Sequence, residues 1–372
     1  MSCVLADQFT ISDQQWMAAA LKLAELGQGH VEPNPMVGCL LVKNEVEVGR
    51  GYHQHFGGPH AEVLALRSCE SPSGSTAYVT LEPCCHYGKT PPCVNALIQA
   101  KVQRVVVAML DPFGEVNGRG VKQLRDSGVV VEIGLMESEA HELNRPYIKR
   151  IETGMPWVIA KWAMSLDGKI ATATGDSQWI SNDQSREMVH ELRGRMDAIM
   201  VGINTVLVDD PRLTARPAGP RTATRIVLDS RAQLPLTSKL VQSLEQAPVL
   251  VAVSKNANPS RCQALRNAGC EVWQSDVADP AEGLVRLLKY LGSRTMTNVW
   301  VEGGARLFGH LNDLRLIDEV HCFIAPGLIG GLESLSPIAG TGIATMSEHQ
   351  RFDHIQVTRL GDDIYVRGRI SR

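Results

Sequence analysis

Two short segments carry side chains that can bind and use a metal ion. The first is HAE at residues 60–62, and the second is PCCHYGKTPPC at residues 83–93. Zinc prefers tetrahedral coordination by nitrogen and sulfur, and a catalytic zinc site keeps one of its four positions open for water. One imidazole and two thiolates fill the other three positions. The two segments therefore predict a catalytic zinc site with the ligands His60, Cys84 and Cys93.

A carboxylate lies two residues after the predicted histidine ligand, at Glu62. In zinc deaminases a glutamate that is not a zinc ligand serves as the general acid and base. Glu62 is therefore the candidate catalytic residue, and the whole set predicts hydrolytic removal of an amino group from a nucleobase-like ring. The spacing departs from the usual deaminase signature, which has two residues between its cysteines. Here eight residues separate Cys84 from Cys93.

The flanking sequence predicts the elements that bring these side chains together. His60 opens an apolar pattern of helical spacing, and residues 76–81 are rich in the β-branched and aromatic residues typical of a strand. Thr90 and the two prolines after it are typical of a helix start, which places Cys93 in the first turn of a helix. A helix N-terminus lowers the pKa of a thiol, so this position favours the thiolate that zinc binds.

The residues alone leave alternatives open at this site. Cys85 stands beside Cys84, and His86 or Cys85 could supply a fourth protein ligand, which would make the zinc structural. Glu62 argues against a structural site, which has no use for a neighbouring carboxylate. Three histidines are expected to be solvated or satisfied in the core: His30, His53 and His55. Six cysteines are expected to be buried small apolar side chains: Cys3, Cys39, Cys69, Cys262, Cys270 and Cys322.

The long cysteine loop, HAE and the upstream segment PNPMVG at residues 33–38 closely resemble the deaminase domain of the bifunctional riboflavin-biosynthesis deaminase/reductase family. The family motif selects Cys84 over Cys85 as the ligand, since members usually carry serine at the second position. The resemblance implies a cytidine-deaminase-like three-layer α/β domain. Asn34, on the Pro-Asn-Pro loop, and His86 and Lys89, on the cysteine loop, are candidates for orienting the base and its phosphoribosyl tail.

Four later segments resemble the reductase half of the same family, which is similar in fold to dihydrofolate reductase. They are KWAMSLDGKI from residue 161, GDSQWIS from 175, GINTVLVDDPRLT from 202 and VEGGARL from 301. The resemblance implies that NADPH contacts Ala163, Trp179, Thr205, Asp209, Ser230, Gly304, Ala305, Arg306, Leu307, Phe308, Gly309 and His310. It implies that the substrate contacts Ser177, Arg193, Leu213, Arg216 and Glu302, and Lys161 is a further candidate for substrate contact or proton transfer.

A physical argument supports a nucleotide site at Gly303-Gly304, which lies between a predicted strand and a predicted helix. Glycines at such a junction let backbone N–H groups approach a pyrophosphate, and the helix dipole favours the anion. The chain has no GxGxxG segment, so a standard Rossmann fingerprint is absent. The predicted arginine contacts suit a phosphorylated ribose, because a guanidinium donates paired hydrogen bonds to phosphate oxygens.

The chain has 372 residues, which predicts about two domains of roughly 100–200 residues each. Strand and helix patterns alternate throughout, which is typical of layered α/β domains. A helical stretch ends at the segment TGMP, residues 153–156. We therefore expect a zinc-dependent deaminase domain over residues 1–150 and an NADPH-dependent reductase domain over residues 151–372.

Composition limits the partners. The net charge is −3 and no segment is rich in Lys and Arg, whereas nucleic-acid binding normally leaves a basic footprint. The sequence contains no run of about eighteen apolar residues, which is the length needed to span a membrane. The first seven residues lack the features of a secretion signal. The nine cysteines are scattered, which favours a reducing cytoplasm. The expected partners are small phosphoribosylaminopyrimidine substrates, and the family resemblance suggests a homodimer or larger homo-oligomer.

The combined expectation is an enzyme of two successive steps. It would deaminate 2,5-diamino-6-(5-phosphoribosylamino)pyrimidin-4(3H)-one and then use NADPH to reduce the ribosyl group of the resulting aminouracil to ribityl. Two other classes of protein fit these residues less well. A nucleic-acid base deaminase needs a basic surface, which the charge of −3 argues against. A zinc-stabilised binding module without activity would leave the position of Glu62 unexplained.

Overall fold

The structure is a computed structural model that describes residues 9–87 and 91–371. It divides into two compact units, Met1–Gly154 and Met155–Arg372. The division follows a helix that ends at Thr153 and is closed by Gly154 in the left-handed conformation, at φ 70°. Glycine is favoured there because other residues meet a steric penalty at positive φ. Among the described residues, no helix combines the length and apolar character needed to cross a bilayer.

The first unit is a five-stranded sheet in the order β2-β1-β3-β4-β5, in which β1 is antiparallel to both neighbours and β3, β4 and β5 are parallel. Its elements in chain order are α1 Ile11–Glu25, β1 Gly38–Lys43, β2 Val46–Tyr52, α2 Ala61–Arg67, β3 Thr76–Val79, α3 Cys93–Gln99, β4 Arg104–Val107, α4 Arg119–Asp126, β5 Val130–Ile133 and α5 Glu137–Thr153.

Helices cover both faces of this sheet. Along β1, Cys39 and Leu41 pack in one apolar cluster with α2, α3 and α4, whereas Leu40 and Val42 pack in the other with α1 and α5. Successive strand residues point to opposite faces, so a strand covered on both sides is apolar at every position. Full burial of one such side chain stabilises the fold by about 1.5–3 kcal/mol. The result is the predicted three-layer α/β domain.

The second unit is a nine-stranded sheet in the order β10-β9-β8-β7-β11-β6-β12-β14-β13. The first seven strands in this order are parallel, and β14 and β13 continue the sheet in antiparallel fashion. Its elements are β6 Trp157–Ser165, α6 Asp183–Arg193, β7 Ala198–Gly202, α7 Ile203–Asp209, β8 Thr224–Leu228, β9 Val249–Val253, α8 Pro259–Asn267, β10 Glu271–Gln274, α9 Pro280–Ser293, β11 Asn298–Val301, α10 Ala305–Asp313, β12 Glu319–Ala325, β13 Phe352–Leu360 and β14 Asp363–Ile370, with short 3₁₀ turns at Val241–Ser243 and Met346–Glu348.

The free cysteines away from the metal-binding loop are buried, as their apolar character predicts. They are Cys39, Cys69, Cys262, Cys270 and Cys322, and Cys3 lies outside the described residues. The last two strands, β13 and β14, form an antiparallel hairpin.

Candidate active sites

The three predicted zinc ligands meet in the first unit. One donor atom from each of His60, Cys84 and Cys93 can be chosen so that all lie within 4.8 Å of one another. His60 Nδ1 is 3.2 Å from Cys93 Sγ and 3.4 Å from Cys84 Sγ. No fourth side chain of the described residues joins this group. The donor set therefore fits a zinc ion with one coordination position left for a water molecule.

Local structure explains why these side chains converge. His60 is the residue before α2, and Cys93 is the first residue of α3. Cys84 lies in the loop after β3, where the Cys93 backbone N–H donates to its Sγ at 3.3 Å. Thr90, the predicted helix cap, lies outside the described residues. The neighbouring Cys85 instead directs its Sγ toward the carbonyl oxygen of Glu115, at 3.7 Å.

The two cysteines differ in acidity. Hydrogen bonding from Cys93, together with hydrogen bonding from His60, lowers the pKa of Cys84 to about 4, so Cys84 is a thiolate at neutral pH. The same contact with Cys84 raises the pKa of Cys93, and burial adds to this effect. The lowering of the Cys93 pKa expected from its place at a helix start is therefore outweighed by the neighbouring negative charge.

The candidate catalytic carboxylate is buried beside the ligands. Glu62 lies in the first turn of α2 and is 3% exposed. Burial raises the pKa of Glu62 to about 7, and the negative charge of Cys84 acts in the same direction. A group that titrates near neutral pH exchanges protons in both directions at little cost, which is what general acid and base catalysis requires.

A cavity of about 320 Å³ connects this group to the predicted base-orienting residues, and its wall includes Asn34, His53, His60, Glu62 and His86. Asn34 Nδ2 lies 3.1 Å from His53 Nε2, and His53 Nδ1 lies 3.1 Å from the carbonyl oxygen of Pro59. Lys89 lies outside the described residues.

Of the three histidines expected to be solvated or satisfied in the core, His30 and His55 are exposed, whereas His53 is buried and hydrogen bonded. The sequence did not place His53 in the cavity wall. It also missed four further polar residues of that wall: Glu82, Asp111, Tyr147 and Arg150. The last two stand three residues apart on α5, a spacing that would have put both on one helix face.

In the second unit a cavity of about 1700 Å³ gathers the residues predicted to hold NADPH and substrate. Its wall includes the predicted residues Lys161, Ala163, Ser177, Trp179, Arg193, Thr205, Asp209, Leu213, Arg216, Ser230, Glu302, Gly304, Ala305, Arg306, Leu307, Phe308 and His310. Gly309 is the exception: it is not in the wall but packs α10 against a loop. A Cβ atom on Gly309 would lie 2.5 Å from the Ala339 backbone.

The strand-to-helix junction has the geometry that its glycines suggest. Gly303 and Gly304, between β11 and α10, have φ angles of 122° and 91°. Residues with a Cβ atom are strained at these angles, so the turn depends on glycine. A Cβ atom on Gly303 would also lie 3.4 Å from Thr205 Oγ1. The backbone here is therefore open to close approach by a ligand, and Thr205 lies beside it.

A charged cluster lies in the wall of the same cavity. Arg193 on α6 donates from Nε and Nη2 to the two carboxylate oxygens of Glu302, each at 2.5 Å, and Trp300 Nε1 donates to Glu302 Oε1 at 2.7 Å. Burial would raise the pKa of Glu302, but Arg193 outweighs it and lowers the pKa to about 2. Burial lowers the pKa of Lys161, on β6. Glu302 is thus a fixed anion near a lysine of increased acidity.

Other predicted contacts take defined positions around this cluster. Asp209 accepts a hydrogen bond from Ser177. Arg216 Nη2 lies 3.3 Å from Nε2 of His190, a wall residue that the sequence analysis missed although it stands one helical turn before Arg193. Trp179 is 73% exposed, and the guanidinium of Arg186 stacks 4.7 Å from its ring centre. Trp179 therefore lies at the mouth of the cavity.

Comparison with known proteins assigns both units. A family model described as "Cytidine and deoxycytidylate deaminase zinc-binding region" matches residues 10–109, and the "RibD C-terminal domain" matches residues 156–366. The chain is 39% identical over 358 residues to riboflavin biosynthesis protein RibD of Actinobacillus pleuropneumoniae, covering 96% of this chain and 95% of that protein.

Solved structures agree over the full length. Acinetobacter baumannii RibD is 38% identical, with a TM-score of 0.85, and the match covers 97% of this chain and 99% of that chain. A Thermotoga maritima diaminohydroxyphosphoribosylaminopyrimidine deaminase/5-amino-6-(5-phosphoribosylamino)uracil reductase is 34% identical, with a TM-score of 0.83 and the same coverage of both chains.

A zinc deaminase unit followed by a reductase unit defines a bifunctional deaminase/reductase. The full-length matches make the assignment specific: the chain belongs to the RibD family of riboflavin-biosynthesis proteins. The predicted fold classes, the two enzyme activities and the cofactors zinc and NADPH are thereby confirmed. The roles of individual residues stay predictions.

Proposed function

We propose that this chain catalyses two consecutive steps toward riboflavin. The first is hydrolytic deamination of 2,5-diamino-6-(5-phosphoribosylamino)pyrimidin-4(3H)-one, and the second is NADPH-dependent reduction of the ribosyl group of the resulting aminouracil to ribityl. The observation that carries the proposal is the meeting of His60, Cys84 and Cys93 beside the buried carboxylate of Glu62. The name of the Thermotoga maritima protein, which contains both activities, supports the choice of substrates.

In the first step Glu62 moves the protons. His60, Cys84 and Cys93 would hold the zinc ion, which would supply an activated water molecule as the nucleophile. Glu62, with its pKa near 7, accepts one proton from the attacking water and passes it to the ring nitrogen. It then takes the second proton from the new hydroxyl group and passes it to the departing amine. Ammonia leaves and a ring carbonyl forms. Such general acid and base catalysis typically contributes about 10²–10⁴-fold to the rate.

Polar groups of the cavity wall orient the pyrimidine in this proposal. Asn34 is fixed by its contact with His53, and His86 lines the same cavity. We assign both to the recognition of the base and its ribosyl substituent. Lys89 is assigned to the same task on the family resemblance, although it lies outside the described residues.

In the second step this chain positions the sugar and supplies a proton. The residues around Thr205 and Gly303-Gly304 would hold NADPH, which would supply the hydride. The C1′ carbon becomes an acceptor only when the ribose ring opens, which requires a proton on the ring oxygen. Lys161 is proposed to donate it, since burial lowers its pKa and makes its ammonium group more acidic. Glu302, held by Arg193, is proposed to accept hydrogen bonds from the sugar hydroxyls.

We assign the deaminase to the first unit and the reductase to the second, with the boundary near residues 150–155. The positions of the two family models, 10–109 and 156–366, support this division. We also propose a cytoplasmic location, which the scattered free cysteines favour, and a homodimer or larger assembly on the family resemblance. Cell fractionation and light scattering coupled to size exclusion test these two proposals.

A one-pot assay tests the function. Zinc-loaded protein is incubated with the phosphoribosylated diaminopyrimidinone and NADPH, and ammonia release and NADPH oxidation are followed together. Ammonia release followed by NADPH oxidation in equal amounts supports both steps and their order. Ammonia release without NADPH oxidation would contradict the reductase assignment. If zinc is bound and neither signal appears, both assignments fail.

A further inference from the structure

The deaminase cavity contains a cationic side chain, Arg150, that has no role in the deamination step proposed for this site. Arg150 lies in the last turn of α5, and its side chain is part of the wall that also includes His60 and Glu62. The Nε atom of Arg150 is buried and makes no hydrogen bond to any described residue. A buried N–H group without an acceptor is unfavourable, because it has lost its hydrogen bond to water. Arg150 therefore brings a cation to the cavity wall, and its Nε has no acceptor among the described residues.

The carboxylates of the same wall are already engaged elsewhere. Glu82 accepts hydrogen bonds from the backbone N–H groups of Gly118 and Val121, at 2.8 and 3.1 Å. Asp111 Oδ1 accepts from the Tyr147 hydroxyl and from the Phe113 backbone N–H, each at 2.9 Å. Neither carboxylate forms an ion pair with Arg150 within the described part of the chain. The positive charge of Arg150 is thus not neutralised by these acids.

The charge pattern of the cavity makes this arginine important for an anionic ligand. Among the described residues of the wall, Arg150 is the only Lys or Arg, whereas Glu62, Glu82 and Asp111 are acidic. Acidic groups in a confined space repel a phosphate, since charges within it are poorly screened. A phosphorylated substrate therefore needs a cation at the point where its phosphate lies.

We propose that Arg150 binds the phosphate of the deaminase substrate and so selects the phosphorylated compound over its riboside. The proposal rests on the function proposed above, in which the substrate carries a ribose phosphate. A guanidinium suits the task because its planar donors pair with two phosphate oxygens. With the phosphate at Arg150 and the amino-bearing carbon near Glu62, the substrate enters the cavity in one direction only.

The test compares two substrates and three variants of the full-length zinc enzyme. Ammonia release is measured with the phosphoribosylated diaminopyrimidinone and with the same compound after phosphatase treatment, which leaves the riboside. The variants are Arg150→Gln, Arg150→Lys and a control, Arg145→Gln. Arg145 lies on the same helix but pairs with Glu142 and is not part of the described cavity wall.

We expect Arg150→Gln to lower kcat/KM for the phosphorylated substrate about 10- to 100-fold, mainly through KM. The preference for this substrate over the riboside should fall by a similar factor. Arg150→Lys keeps the positive charge but loses the paired donors. Its kcat/KM for the phosphorylated substrate should therefore lie between the values for the wild type and Arg150→Gln. Arg145→Gln should keep the wild-type preference. Inorganic phosphate should inhibit riboside turnover by the wild type more strongly than by Arg150→Gln.

Two results would overturn the proposal while leaving the deaminase assignment intact. One is an unchanged preference for the phosphorylated substrate in Arg150→Gln. The other is an equal loss with both substrates together with a lower melting temperature, which would give Arg150 a structural role. If Arg150→Gln does not fold, an Arg150→Lys variant with wild-type KM for the phosphorylated substrate overturns it. Wild-type protein that releases no ammonia from either compound would instead refute the proposed deaminase function, and this inference with it.

Discussion

Arg193 and Glu302 form a bidentate ion pair that joins helix α6 to the end of strand β11, across 109 positions of sequence. The side chains are only 13% and 8% exposed, and the indole N–H of Trp300 donates to the same carboxylate. The pair therefore holds an ionised carboxylate in the wall of the reductase cavity. Removal of one partner would leave the other as a buried charge, which commonly costs 3–5 kcal/mol.

The first prediction concerns Glu302. A Glu302→Gln variant keeps the shape of the side chain but loses the charge that Arg193 requires, so we expect NADPH oxidation to fall at least tenfold while ammonia release persists. Separate assays of the two products measure this. Glu191→Gln, which removes the surface pair of this α6 residue with Arg195 just after the helix, is the matched control. Equal loss of both activities in Glu302→Gln would show that the residue supports the whole fold instead.

The second prediction separates two adjacent thiols. Cys84→Ser removes a donor atom from the cluster with His60 and Cys93, and we expect more than about a 100-fold loss of zinc affinity. Cys85→Ser should keep zinc and deaminase activity within about twofold, because its sulfur points to the Glu115 carbonyl instead. Zinc content by atomic emission and ammonia release give the answer. If Cys85→Ser loses zinc and Cys84→Ser does not, the zinc ligand is Cys85 and not Cys84.

The third prediction concerns proton transfer. Glu62→Gln keeps the buried side-chain volume but cannot carry a proton, so ammonia release should fall about 10²–10⁴-fold. Zinc content should stay at the wild-type level, because Glu62 is not assigned as a ligand. Glu70→Gln replaces an exposed residue just after the same helix and should change neither quantity. Full deaminase activity in Glu62→Gln would remove this residue from the mechanism.

The clustering of the three candidate zinc ligands was predictable because its signals are local. His60 and Cys93 stand at helix starts, and Cys84 follows a strand. Helix starts and strand ends have characteristic residue types that can be recognised in a sequence. Arg150 and Asp111 enter the same cavity from distant segments, and neither has a neighbour of distinctive type. Spacing alone places Arg150 on the same face of α5 as Tyr147, but only the packing of α5 against the sheet brings that face to the wall.

Two elements of the reductase unit show where local preference fails. Helix α7, Ile203–Asp209, was not predicted, since most of its residues are apolar or β-branched and typical of strands. Strand β10, Glu271–Gln274, was missed because it is a four-residue strand at the sheet edge that pairs only with β9 among the described strands. In both cases tertiary contacts decide the structure, and a single sequence does not display them.

The last prediction concerns stability at acidic pH. Glu319 on β12 accepts hydrogen bonds from Trp157 Nε1 and lies against His321 Nε2, both at 3.0 Å, and it pairs with Arg367. Burial would raise the pKa of Glu319, but these partners lower it to about 2. A carboxyl of the unfolded chain has a pKa of about 4.3. Protons therefore bind this carboxyl more readily in the unfolded state than in the folded state. The stabilisation of the fold by ionised Glu319 is complete above about pH 5 and is lost as the pH falls toward 2.

A Glu319→Gln variant removes this titration, so its free energy of unfolding should depend less steeply on pH between about 5 and 3 than that of the wild type. At pH 7 the variant should be less stable, by on the order of 2–3 kcal/mol, because the pairing with Arg367 is lost. Urea unfolding followed by tryptophan fluorescence across this pH range measures both effects. Glu271→Gln, which breaks an exposed pair with Arg294, should retain the wild-type slope. If Glu319→Gln and the wild type lose stability equally on acidification, the acid sensitivity arises from other carboxylates, and the ionised state of Glu319 does not stabilise the fold.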